Sequence, residues 1–232
     1  MPTYVRKKFT YFDRYWTSVS YLVHLDTSML TEEKGHTMQA YGGATLSNTL
    51  AKYGTKSLYL DGVNSFLNSQ ASNHFNMGTR DFTVELSFSP KTKIKNWPAI
   101  ITNGLWSPGN WGIWHNHPSA PNKVMFGTYN GWGLISTSTI ASDSNLWTHV
   151  AICRNGTTLR MFINGVQEAS ATVSGYLDGA NDRAEIITLG SNTYGANDNC
   201  FKGYIDEVRI TKGVGRYTSN FKVPTRTYPN RG

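Results

Sequence analysis

The chain has 232 residues, of which 39% are hydrophobic, 16% charged and 13% aromatic, with 22 glycines. This size and balance fit one large domain with a buried core; they exclude a disordered chain and long solvated helices. A formal charge of +7 and a pI near 9.4 suit an acidic partner. The basic residues are scattered, however, and no nucleic-acid recognition motif occurs, so nucleic acid is not the expected partner.

Residues 1–18 are basic and aromatic without a clean period. Arg6, Lys7, Lys8 and Arg14 form the nearest thing to a basic patch there, and Arg216, Lys222, Arg226 and Arg231 lie near the other end. Two readings stand side by side: an extra edge strand or frayed terminus, and an arm that docks onto a neighbouring subunit through those four residues. Residues 9–21 are interrupted by Asp13, Arg14 and hydroxyl side chains, so no secretory signal is expected, and no run reaches the length of a membrane span. The expected setting is a cytoplasm, where Cys153 and Cys200 stay reduced.

From residue 19 onward the apolar period is two. Tyr21, Val23 and Leu25 share one face, with His24 and Asp26 on the other. Residues 45–52 suggest a short helical turn. Leu58 and Leu60 alternate with Tyr59 and Asp61, and residues 82–88 alternate as a strand with one wet face. Asn130-Gly131, Asn155-Gly156 and Asn164-Gly165 each join two strand-like runs and predict type I′ hairpin turns, which also makes Asn155-Gly156-Thr157 a turn rather than a glycosylation site. Residues 186–189 and 203–211 complete the strands, and residues 213–217 suggest another helical turn. No repeat or linker appears, so the expected organisation is residues 1–18 followed by one all-β domain over residues 19–232.

Several pieces, in order and with family-like spacing, carry a resemblance. They are Tyr21-Leu22-Val23-His24-Leu25-Asp26, Lys52-Tyr53-Gly54-Thr55-Lys56-Ser57-Leu58-Tyr59-Leu60-Asp61-Gly62, and Asp81-Phe82-Thr83-Val84-Glu85-Leu86-Ser87-Phe88. Trp147-Thr148-His149-Val150-Ala151, Met161-Phe162-Ile163-Asn164-Gly165 and the stretch from Gly203 through Arg216-Tyr217, Phe221 and Pro224 complete the set. Together they resemble the concanavalin A-like lectin superfamily, specifically the laminin-G-like domains of bacteriophage virion proteins. The resemblance implies a two-sheet antiparallel jelly roll of about a dozen strands, with the first and last strands adjacent. It does not by itself supply a function.

Glycosidases need two carboxyl groups facing one cleft. The Glu-x-Asp-x-x-Glu pattern of glucanases in this superfamily is absent, and the adjacent Asp206 and Glu207 should point to opposite faces of a strand. Strand parity groups Asp206 with Tyr204, Val208 and Ile210 toward the core, where a carboxylate needs partners. It is read either as a structural acceptor of backbone N–H bonds or, as relatives imply, as a Ca²⁺ ligand with Asp26, Asp61 and Asn64. The aromatic region holds Trp97, Trp106, Trp111, Trp114 and Trp132 with His115 and His117. Trp106, Trp111, Trp114, His115, His117 and Trp132 are candidates for stacking on and hydrogen bonding a glycan, although at least two of the five tryptophans should be core. His115-Asn116-His117 is a weak metal motif without a third ligand.

The expected function is therefore a non-enzymatic virion component of a tailed phage, a head decoration or a tail or fibre protein. It would be present in many copies, with the major capsid protein or tail proteins as partners. The alternatives are an adhesin recognising cell-surface glycans and, least favoured, a glycosidase.

Overall fold

A computed structural model describes residues 11–104, 110–128, 133–176, 184–192 and 199–232. The alternating segments become strands: β1 Val19–Val23, β2 Met38–Tyr41, β3 Thr45–Ser47, β4 Ser57–Asp61, β5 Phe66–Ser69, β6 Phe82–Pro90, β7 Ala99–Asn103 and β8 Trp111–His117. They continue with β9 Ala120–Thr128, β10 Gly133–Ile135, β11 Thr148–Asn155, β12 Thr158–Ile163, β13 Val166–Thr172, β14 Ile187–Leu189 and β15 Lys202–Lys212. Short 3-10 turns lie at Trp16–Ser18 and Asn73–Phe75.

All named pairings are antiparallel and build two sheets. One has eight strands in the order β13-β12-β11-β6-β15-β4-β3, with β1 also paired to β15; the other has seven, β10-β9-β8-β7-β14-β5-β2. The first and last strands are thus neighbours, as the resemblance implied. Leu86, Phe88, Ile152, Met161, Ile205 and Ile210 from the first sheet meet Leu67, Ile101, Trp111, Ile113, Phe126 and Leu189 from the second in one core. Burying apolar area of this extent drives the packing of the two sheets.

Four local expectations are corrected. Residues 45–52 hold strand β3 in place of a helical turn, because Thr45, Leu46 and Ser47 pair with Tyr59, Leu58 and Ser57. Residues 213–217 are not helical either; they begin an irregular strap laid over the eight-stranded sheet. The Asn164-Gly165 turn has both central φ values positive (50° and 81°), as type I′ requires. The neighbouring turn is shifted by one: Asn155 still pairs with Thr158, so Gly156 and Thr157 are its central residues. The expected Asn130-Gly131 turn lies outside the described residues.

The fourth correction concerns the wet face of β6. Thr83, Glu85, Ser87 and Ser89 point away from the core, yet all four are buried. Residues 11–18 and the strap from residue 213 to the C-terminus cover Thr83 and Glu85. Thr83 Oγ1 accepts from Arg216 N at 2.9 Å and donates to Val214 O. Beside it, Tyr217 and Phe221 stack at 3.6 Å between ring centroids and close over Ala151, Cys153 and Phe162 on the outer face.

Under the strap lies a charged network. Arg209 binds Glu85 and Asp13, Arg216 binds Asp13, and the Tyr217 and Tyr228 hydroxyls donate to Glu85 Oε2. Burial would raise the Glu85 carboxyl, but Arg209, His149 and Arg216 outweigh it and hold it far below the usual range.

Candidate functional site

The outer face of the seven-stranded sheet is built differently. The register aligns Gly127, Gly112, Thr102, Thr188, Asn68 and Gln39 across β9, β8, β7, β14, β5 and β2. Gly112 has no side chain, and the Trp114 indole occupies the space: a Cβ on Gly112 would stand 2.5 Å from Trp114 Cη2. Trp114 is thereby laid along the sheet with 6% of its surface exposed. Trp97, on the approach to β7, is 44% exposed, and its ring meets His117 edge-on at 4.0 Å between centroids.

These residues wall a cleft of about 440 Å³, completed by Thr102, Met125 and the amides Asn110, Asn192 and Asn199. No Asp, Glu, Lys or Arg is among its described lining residues. Apolar walls with a few convergent polar groups are the usual make-up of a small-ligand site. His117 Nδ1 accepts from Ser119 N at 3.0 Å, so the ring proton resides on Nε2. Burial, helped by Lys93, holds the His117 pKa down, which keeps this ring neutral. Asn192 Oδ1 and Trp111 Nε1 are buried with no hydrogen-bond partner among the described residues.

Of the six glycan candidates, Trp111, Trp114 and His117 line this cleft. Trp111, 1% exposed, is also a core residue. His115 is not at the cleft. His115 shares the inward side of β8 with Trp111 and Ile113, packs against Phe88 and donates Nε2–H to Ile140 O at 3.0 Å; the chain then bulges at Asn116, whose φ is 59°, and this brings His117 round to the cleft. Burial drops the His115 pKa to about 4. The bulge also separates His115 from His117 as a metal pair. Trp106 and Trp132 lie outside the described residues. Sequence reading missed Thr102, Asn110, Met125, Asn192 and Asn199 as wall residues, because they come from four distant segments and share no motif.

The four calcium candidates are not brought together. Asp26 Oδ1 accepts from Thr55 N and Lys56 N and shapes the loop before β4. Asp61 Oδ1 accepts from Val63 N, Asn64 N and Ser65 N in the tight turn after β4, so Asn64 is its partner in a turn. Asp206 Oδ2 accepts from Lys52 N and Tyr53 N at 2.8 and 3.2 Å. Among the described residues no group of three or more His, Cys, Asp or Glu is placed to hold a metal ion.

The parity expected of Asp206 is also overturned. Ile205 pairs with Phe88 and Asp206 with Ser87; a bulge at Glu207, φ 51°, then returns Val208 and Ile210 to the core. Asp206 and Glu207 therefore both lie off the core side, buried beneath neighbouring loops instead of on opposite faces. Glu207 accepts from His24 Nδ1 and Tyr228 N at 2.7 Å each. Asp206 Oδ1 has no partner, and burial pushes this carboxyl up to about 7.

Of the docking candidates, Arg14 is exposed, with its guanidinium 4.5 Å from the centre of the Tyr15 ring. Arg6, Lys7 and Lys8 lie outside the described residues. Cys153 and Cys200 are free and buried; burial pushes the Cys153 thiol up to about 12, which leaves it unreactive.

A family model described as the concanavalin A-like lectin/glucanases superfamily matches residues 61–214. Among solved structures, domain 4 of AbnA, a GH43 extracellular arabinanase from Geobacillus stearothermophilus in complex with arabinotriose, is similar with a TM-score of 0.64 and 20% identity. That alignment covers 84% of this chain and 93% of that one. The binding domain of Paraclostridial Mosquitocidal Protein 1 aligns with a TM-score of 0.60 and 16% identity over 87% of this chain. A structure of botulinum neurotoxin type C, described as depending on two ganglioside molecules to enter cells, gives 0.63 and 16% over 86%. The chain spans about half the length of each of those two toxin structures, 50% and 49%. At these identities the likeness is one of fold. A comparison with curated proteins finds no match.

Proposed function

The chain belongs to the concanavalin A-like lectin/glucanase superfamily, and from that premise we propose that it is a non-enzymatic glycan-binding module. The observation that carries the reading is the cleft on the seven-stranded sheet, where Trp97 and Trp114 stand beside His117 and three asparagines. Exposed indole faces stack on the apolar faces of sugar rings, while amides and a neutral imidazole exchange hydrogen bonds with hydroxyls. The arabinotriose complex of the AbnA domain and the ganglioside dependence of the neurotoxin make a glycan the natural ligand class to test.

Binding is favoured over hydrolysis by the placement of the carboxylates. Hydrolysis needs two of them flanking the ligand. Glu185 stands near one end of the cleft, engaged by Asn110. Asp206 and Glu207 lie on the other sheet, buried and committed to loop amides and His24. The test is a glycan array probed with the wild type and with Trp97→Ala. Selective binding that falls at least about tenfold in the variant supports the reading. Absence of binding to every glycan, including bacterial polysaccharides, removes it.

A second reading places the module in a tailed-phage virion, as a head decoration or a tail or fibre protein. It is favoured by the phage-like stretch from Gly203 to Pro224, which forms β15 and the beginning of the strap. Cryo-electron microscopy of particles tests it: density for many copies supports the reading, and absence from purified virions ends it. The two readings are compatible, since a virion surface that binds glycan attaches to cells.

A further inference from the structure

The described lining of the cleft is uncharged, but its rim at the Trp97 end is not. The segment between β6 and β7 carries Lys91, Lys93 and Lys95 on its way to Trp97. Lys93 Nζ donates to Asn116 O at 2.9 Å, which fixes its ammonium one residue away from His117. Lys93 also lies near enough to His117 to help depress its pKa. Lys95 is half-buried two residues before Trp97, on a segment set beside the cleft where Ala99 N donates to Asn199 O at 2.9 Å. Neither lysine has a carboxylate partner among the described residues. Lys91 differs, because its Nζ is engaged by Asn145 Oδ1.

The opposite end has the opposite sign. Glu185 Oε2 accepts from Asn110 Nδ2 at 3.2 Å, and both crowd Gly104 on the cleft wall. The cleft is therefore polarised along its length, with two cations that have no carboxylate partner among the described residues at the aromatic end and a carboxylate at the Asn110 end. Charges at a half-desolvated rim act over about 8 Å at physiological salt, so they bear on any ligand stacked on Trp97. The formal charge of +7 adds long-range attraction of the same sign.

We propose that the glycan held here is acidic, a polysaccharide bearing carboxylate or sulfate groups, with an anionic substituent set between Lys93 and Lys95 and a ring stacked on Trp97. The inference rests on the glycan-binding reading above and adds ligand class and direction. The acidic sugar occupies the Trp97 end, and the uncharged hydroxyls of the next unit face Asn110.

The test is calorimetric titration of the full chain with three oligosaccharides of matched length: an oligouronate, a sulfated chain and a neutral chain. They are titrated against the wild type, Trp97→Ala and the double variant Lys93→Gln, Lys95→Gln. Both lysines are surface residues, so an unchanged melting temperature verifies the fold of the double variant. The expected result is that at least one acidic probe binds the wild type about tenfold or more tighter than the neutral probe. That preference collapses toward unity in the double variant and weakens steeply with added salt, whereas Trp97→Ala weakens every probe. Binding of acidic and neutral probes with equal affinity, unmoved by the lysine substitutions but lost in Trp97→Ala, overturns the acidic preference and leaves the cleft a neutral-sugar site. No binding of any probe overturns both.

Discussion

Glu85 on β6 and Arg209 on β15 occupy partnered positions in the eight-stranded sheet, and Arg209 donates both Nε and Nη2 to the same carboxylate oxygen, at 3.0 and 2.8 Å. Both side chains are buried, so neither charge can turn to water if the other is removed. Glu85→Gln should destabilise the fold by about 3–5 kcal/mol, the cost of stranding a buried guanidinium. Urea unfolding followed by tryptophan fluorescence measures this. A loss below about 1 kcal/mol would mean that Asp13 alone suffices for Arg209.

The pH dependence has a definite sign on each side of its optimum. The Asp206 carboxyl is raised from 3.8 to about 7 in the fold, so the folded chain retains a proton that the unfolded chain releases. The stability linked to that proton is complete below about pH 4 and drains away as pH rises toward 7. Burial opposes a charge on His24, but Glu207 outweighs it and raises the imidazole pKa, which extends the same loss above 6.5. Asp13 and Glu85 act in reverse: burial is outweighed by their cationic partners, their pKa values fall, and their contribution is lost in acid. Stability should therefore peak at mildly acidic pH, about 4 to 6, and Asp206→Asn should flatten the decline toward neutrality. Melting temperatures across a pH series check it; a wild type and variant falling in parallel from pH 5 to about 7 would contradict it.

Gly112→Ala tests the cleft without touching the lysines. The new methyl would collide with the Trp114 ring edge and with Thr102 Cγ2 at 3.0 Å, forcing the indole off the sheet. Glycan affinity should drop by about tenfold or more, with stability changed by no more than about 1 kcal/mol. An unaltered affinity would show that Trp114 has no part in binding.

Gly165→Ala acts on the strap. The residue sits at φ 81°, and a Cβ there would stand 2.1 Å from Phe221 O, a backbone atom with nowhere to go. The substitution should cost about 1–3 kcal/mol and open the strap to trypsin after Arg216 and Lys222. Limited proteolysis at equal folded fraction separates the second effect from the first.

Chelation should be without effect on stability. Asp26, Asp61 and Asp206 each spend an oxygen on loop N–H groups, which is a complete structural role. The melting temperature with excess Ca²⁺ and with EDTA should agree within about 1 °C; a rise with calcium would reveal a bound ion stabilising the folded state.

Much of the fold was legible because the period of two survives wherever one face meets the core. Tyr21, Val23 and Leu25, the alternation of β4, and the run of β6 all fall where the pattern puts them. The pattern could not say what lies on the other face. The polar set of β6 reads as wet, and Thr83 and Glu85 are buried by distant segments, the strap some 130 residues later and Asp13 near the other end. The bulges at Asn116 and Glu207 were equally hidden, since one extra residue reverses every parity argument across it: it parts His117 from His115 and sets Asp206 off the side of Val208 and Ile210. Three cleft residues, Trp111, Trp114 and His117, were visible as an aromatic cluster on one strand. The asparagines and Thr102 join them only through sheet pairing, which no local spacing records.

Asp13 N donates to Arg231 O at 2.8 Å, so the two ends of the described chain meet on the strap side of the sandwich. The cleft opens on the other side. A carrier that grips the module by this paired end, whether a capsid, a fibre or a fused domain, would hold it like a stamp by its handle. The cleft would then point outward on every copy, and weak individual contacts with a ligand would add up across an array, since neighbouring copies raise one another's effective concentration.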